Sequence, residues 1–127
     1  MAQRAKPLSP HLQIYRFTLT MAMSIVHRAT GIANYVGALL LAAWLLAAAL
    51  GGDALGLANA ILGSWFGQFV LFGHTWSLFH HALGGIRHFV WDFLVAMDPA
   101  GREMIVRLQL AGSVLLTFGA WALWVWR

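Results

Sequence analysis

Residues 29–52 read ATGIANYVGALLLAAWLLAAALGG, 24 positions without an Asp, Glu, Lys or Arg. A helix of about 20 apolar residues crosses roughly 30 Å of hydrocarbon, so this stretch is long enough to span a bilayer. Outward from it the pattern recurs: residues 54–86 supply 33 charge-free positions and residues 108–126 supply 19. Over all 127 residues, apolar side chains make up 61% and charged ones 9%, against roughly 45–50% and 25% in a soluble domain. A chain this short has room for one domain, too small to hide three such helices inside itself. The expected fold is an all-α membrane protein with three transmembrane helices, residues 1–127 forming a single transmembrane domain.

The punctuation between the runs sets the expected boundaries. Residues 1–20 form a basic tail with Arg4, Lys6 and Arg16, interrupted by Pro7 and Pro10. The first helix is expected at about 19–50, ended by Gly51-Gly52-Asp53. The second is expected at about 57–95, stopping before Asp98-Pro99 and Gly101, and the third at about 102–126. No internal repeat or low-complexity segment is present. Basic residues lie in the tail and around the second connection (Arg87, Arg102, Arg107), with none in residues 51–60. The positive-inside rule then puts the N-terminus in the cytoplasm and the C-terminus outside. Trp121, Trp124 and Trp126 would anchor the outer interface, and Trp91 the inner one.

Several functions are excluded by composition. There are no cysteines, hence no disulfide, thiolate metal site or Cys-anchored haem. A net charge of +4 spread over membrane flanks is a topology signal, not a nucleic-acid footprint. The first ten residues have no apolar core or A-x-A-like cleavage site, so the first hydrophobic run reads as a retained helix. With no transit peptide visible, the bacterial inner membrane is the expected location.

Two constellations carry chemistry. His74, His81 and His88 recur every seven residues in the second span, two helical turns apart, and so fall in a narrow stripe. Ser77, Gly84 and Gly85 sit three or four residues from His81 on the same side. Glycines beside a histidine leave a shallow groove where a flat macrocycle fits, with imidazole reaching its iron. Helix geometry equally allows close packing with interhelical hydrogen bonds, or a zinc or proton-relay role, although carboxylates are too scarce for a hydrolytic zinc site. In the first span, Ser24 and Arg28 are four apart, with His27 beside them and Gly31 a turn further on. Serine and guanidinium together suit a carbonyl or propionate oxygen; the plainer alternative is an arginine snorkelling to headgroups. Antiparallel first and second helices would bring Ser24, His27, Arg28, His81, Arg87 and His88 to one leaflet, and polar groups at membrane depth are functional candidates.

These residues also carry a resemblance. Ser24-Ile25-Val26-His27-Arg28-Ala29-Thr30-Gly31 resembles the S-I-x-H-R-x-T-G signature of the cytochrome b large anchor subunit of succinate dehydrogenase, respiratory complex II. His81-Ala82-Leu83-Gly84-Gly85-Ile86-Arg87-His88 resembles that family's H-x-x-x-G-I-R-H, and Trp91-Asp92 follows as its W-D. The tail from Lys6 to Tyr15, KPLSPHLQIY, is similar to its R-P-L-S-P-H-L-x-I-Y, with Lys6 where the family often has Arg. The three motifs occur in order between Lys6 and Asp92.

The resemblance implies half of a haem-binding helical bundle, completed by a smaller hydrophobic anchor subunit, alongside a flavoprotein that oxidises succinate and an iron–sulfur subunit. It implies that His81 is one axial ligand of haem b and that Ser24 and Arg28 line a ubiquinone pocket. His27 and Arg28 match positions near the haem propionates; Arg87 and His88 would join that network, and Asp92 would deliver protons. A quinone that takes two electrons also takes two protons, so donors and a route to water suit it. The chain itself has no flavin or dicarboxylate site. His80 is an alternative ligand, and His74, about 10 Å further toward the outer side, reads as a packing residue. The other readings are a cytochrome b of a fumarate reductase or another dehydrogenase, and a haem-free structural anchor.

Overall fold

The computed structural model describes residues 15–125. The tail motif before Tyr15, and Trp126 and Arg127, lie outside them. Four helices follow in order: α1 (Leu19–Leu50), α2 (Gly52–Gly63), α3 (Trp65–Asp92) and α4 (Pro99–Val125). Thr18 opens α1, its hydroxyl accepting from the Met21 N–H at 3.3 Å, which satisfies one of the first turn's free donors. Gly51 closes α1 at φ 67°, its N–H returning to the Ala47 carbonyl at 3.0 Å. Gly52 is also left-handed, so this turn needs residues without a Cβ.

The helix expected over 57–95 is two helices. α2 and α3 are bent by 74° at Ser64. Ser64 caps α3 by accepting from the Gly67 N–H at 3.1 Å, and Gln68 donates to the Leu62 carbonyl at 2.8 Å. A Cβ on Gly67 would collide with the backbone of Ile61 and Leu62, so the bend requires glycine there. No proline is involved; a capping serine and one close backbone approach suffice. α4 begins at Pro99, three residues before its expected start. Asp98 accepts from the Gly101 N–H at 3.0 Å, and proline at the first helical position has no N–H to leave unpaired.

α1 and α4 are each long and apolar enough to cross a membrane, and the bent pair α2–α3 makes the third candidate. α3 packs against α1 on one side and α4 on the other. Among the described residues the buried hydrophobic side chains are Met23 and Val106, whereas Thr30, Ser77, His80, Arg87, Gln109, Ser113 and Thr117 are buried and polar or charged. Large apolar side chains such as Ile32, Leu46, Phe89, Leu115 and Phe118 face outward. Such an exterior would be an aggregation liability in water. In lipid it costs nothing, and hydrogen bonds with small residues hold the seams instead.

Candidate functional site

Ser77, His81, Gly84 and His88 form the stripe of α3 that meets α1. Ser77 donates to the Thr30 carbonyl at 3.1 Å and to Asn34 Oδ1 at 2.8 Å. A turn further on, the His81 ring stacks on the His27 ring, centroids 4.1 Å apart and 9° from parallel. His81 Nδ1 lies 3.1 Å from the His27 carbonyl and 3.3 Å from Thr30 Oγ1. His27 Nε2 lies 3.3 Å from the His81 carbonyl, so each histidine bonds the other's backbone. His88 meets the His27 ring edge-on at 5.5 Å. A Cβ on Gly84 would strike the His27 ring; this glycine lets α1 and α3 approach closely enough for the stack.

His81 is half-buried. With Nδ1 directed at a carbonyl, which only accepts, the proton sits on Nδ1 and the lone pair on Nε2. No hydrogen bond to Nε2 occurs among the described residues. Gly85, one turn along the same helix, has open space where a Cβ would stand. The expected groove beside His81 is therefore open at Gly85, while Gly84 is occupied by His27. The glycine beneath the His81 ring is Gly31 of α1, where a Cβ would come within 3.1 Å of Cε1.

His80, the neighbour, is fully buried on the other side of α3. Its Nδ1 is 3.3 Å from Ser113 Oγ and its Nε2 is 3.1 Å from Gln109 Nε2, which also donates to the His80 carbonyl at 3.1 Å. Both ring nitrogens are engaged by α4, which leaves neither for an iron. His74 lies against Gly37 of α1, where a Cβ would collide with its ring, in keeping with a packing role; it borders an apolar cleft of about 330 Å3 with Leu40, Trp44 and Leu71.

The remaining predicted residues are less tightly gathered. Ser24 is half-buried and Arg28 exposed, on the α1 face adjoining that of His27, and neither makes a side-chain hydrogen bond among the described residues. Arg87 is buried on the α4-facing side of α3, its guanidinium 5.0 Å from the centroid of the Trp91 ring; Nε and Nη1 have no hydrogen-bond partner among the described residues. Trp91 has its indole N–H buried as well, and its ring packs against the Arg87 guanidinium. Asp92 ends α3, exposed. A cleft of about 530 Å3 between the starts of α1 and α4, lined by Thr18, Met21, Pro99, Arg102 and Glu103 among others, contains none of the predicted site residues.

Sequence reasoning missed the α4 contribution. Gln109, Ser113 and Thr117 are spaced by four and all buried, and this period-four polar stripe in an otherwise apolar span was the available signal. Trp121, expected at the outer interface, donates to Thr75 Oγ1 at 3.2 Å and thereby ties α4 to α3.

Fold and site together define an all-α membrane protein whose seams are polar and in which His27, His81 and His88 cluster between the first and third helices. The chain belongs to the succinate dehydrogenase/fumarate reductase transmembrane subunit family, which it matches over residues 2–126. It is similar to the succinate dehydrogenase cytochrome b556 subunit of Paracoccus denitrificans, 38% identical over 87% of this chain and 85% of that protein. It is also similar to the cytochrome b556 subunit of Rickettsia felis, 30% identical over 91% and 90%. The mitochondrial cytochrome b560 subunit of Sus scrofa is 43% identical over 68% of this chain and 53% of that longer protein. The resemblance drawn from the three motifs is borne out.

Proposed function

We propose that this chain is the membrane-anchoring, haem b- and ubiquinone-binding subunit of a succinate:quinone oxidoreductase, passing electrons from an iron–sulfur subunit to ubiquinone. The observation that carries the reading is the state of His81: half-buried, its Nδ1 bonded to the His27 carbonyl at 3.1 Å, and an open groove at Gly85 beside it. A metal-bound histidine characteristically donates its other ring N–H to such a carbonyl, which fixes tautomer and ring orientation. The residues present therefore fit a haem. When bound, the haem would supply a one-electron store.

His81 would hold the haem iron through Nε2, together with a residue of the smaller anchor subunit. His27, Arg28, Arg87 and His88 would furnish the donors and cations for the propionates. His88 supports this by standing exposed beside His27; Arg87 has two nitrogens without a partner among the described residues, but it faces α4. Ser24 and Arg28 would bind the quinone: a hydroxyl and a guanidinium one turn apart, without side-chain hydrogen bonds among the described residues, can both donate to its oxygens, and a charge-assisted bond favours the oxygen as it gains negative charge. Asp92, at the exposed end of α3, would exchange protons with water. The flavoprotein and iron–sulfur subunits would dock on this same membrane face. The charge distribution of the connections supports an N-terminus on the inside, and the bacterial relatives support a bacterial cytoplasmic membrane location.

The test compares two activities of the purified complex, succinate oxidation with an artificial acceptor and with ubiquinone. Arg28→Ala and Ser24→Ala should depress the quinone-linked rate at least tenfold and leave the artificial-acceptor rate within twofold. Equal loss of both rates would contradict the pocket assignment.

A further inference from the structure

We infer that Thr30 is the positioning residue for His81, holding the imidazole in one tautomer and at one ring angle. The inference rests on the reading of His81 as a haem ligand. Thr30 is three residues after His27 on α1, a spacing at which a threonine hydroxyl reaches back to a carbonyl of the preceding turn. It donates to the His27 carbonyl at 2.8 Å. The same carbonyl takes the N–H of His81 Nδ1 at 3.1 Å, and Thr30 Oγ1 itself lies 3.3 Å from that nitrogen. The Nδ1 proton is thus shared between a carbonyl oxygen and a hydroxyl lone pair, and the hydroxyl hydrogen is committed to the carbonyl.

Thr30 is 4% exposed, so water does not compete for this arrangement, and in a low-dielectric interior such linked bonds polarise one another. The ring is confined from two further directions, by the His27 ring stacked at 4.1 Å and by Gly31 beneath Cε1. Ser77 donates to the carbonyl of Thr30 at 3.1 Å, which fixes the segment that carries the hydroxyl. Hydrogen bonding to the distal nitrogen of a ligating imidazole raises its basicity. Thr30 therefore acts through His81 on the electronic character of the ligand.

The experiment uses the intact complex with Thr30→Val, close in volume and without the hydroxyl, and Thr30→Ser, which keeps it. Haem content, haem midpoint potential and the low-spin electron paramagnetic resonance signal are measured for each. Thr30→Val should keep haem and shift both the potential and the signal; Thr30→Ser should return both to the wild-type values. Wild-type values in Thr30→Val at equal haem content would overturn the inference, as would an equal shift in both variants. If Thr30→Val assembles without haem, Thr30→Ser decides: haem with the wild-type potential supports the inference, and haem loss there overturns it. A wild-type complex without haem would overturn the ligand reading itself, which these outcomes otherwise leave intact.

Discussion

His80 and His81 are consecutive, yet α3 turns them toward different helices, about 100° apart around its axis. His81 meets a carbonyl and a hydroxyl of α1 and keeps Nε2 available, while His80 is locked between Gln109 and Ser113 of α4. The motif spacing already favoured His81, and the seven-residue repeat put it on the stripe with His74 and His88. What the sequence could not display is which helix each stripe faces, because an angle around one helix carries no partner. Gln109 illustrates the cost of the polar seam. Gln109→Leu removes its bonds to the His80 ring and carbonyl but also removes an Oε1 that has no partner among the described residues. Interhelical hydrogen bonds of this kind contribute about 1 kcal/mol in membranes, so the variant should lower the unfolding free energy by about that amount in mild detergent, with haem retained. A loss several times larger would mean that the seam depends on this residue far more than two ordinary bonds allow.

At the scale of the elements, the charge-free run 54–86 reads as one helix because hydropathy reports preference for lipid and carries no direction. The bend at Ser64 comes instead from cap chemistry: a serine accepting from Gly67 at 3.1 Å, a glutamine donating to Leu62 at 2.8 Å, and a glycine with no room for a methyl. Gly63-Ser64 with Gly67 was the legible trace of it, outweighed by an unbroken apolar pattern. Gly67→Val should force α2 away from α3 and destabilise the chain by about 1–3 kcal/mol, the usual scale of overpacking. Circular dichroism of the purified variant should retain its helix content while its thermal midpoint falls. An unchanged midpoint would show that the α2–α3 angle is free to open.

The whole molecule is built with polar seams and an apolar exterior, the arrangement that a bilayer favours and water penalises. Overall class and the order of the spans followed from composition and charge-free lengths, which depend only on transfer to lipid. The interior did not, since α4 looked uniformly apolar until its Gln109–Ser113–Thr117 spacing was set against His80. Orientation is open to direct measurement because the chain has no native cysteine. Asp53→Cys, in the first turn of α2, should react with a membrane-impermeant maleimide added outside spheroplasts, and Asp98→Cys, before α4, should react only after lysis. The opposite pattern would invert the topology and move the histidine cluster to the outer leaflet, away from any cytoplasmic iron–sulfur partner.

The most direct measurement is a reduced-minus-oxidised absorption spectrum of the complex purified through this chain, with wild type beside His81→Ala and His80→Ala. A b-type signal is expected in wild type, retained in His80→Ala and lost or displaced in His81→Ala. A signal unchanged by His81→Ala, or no b-type signal in the wild-type complex, would contradict the account of His81 as the haem ligand.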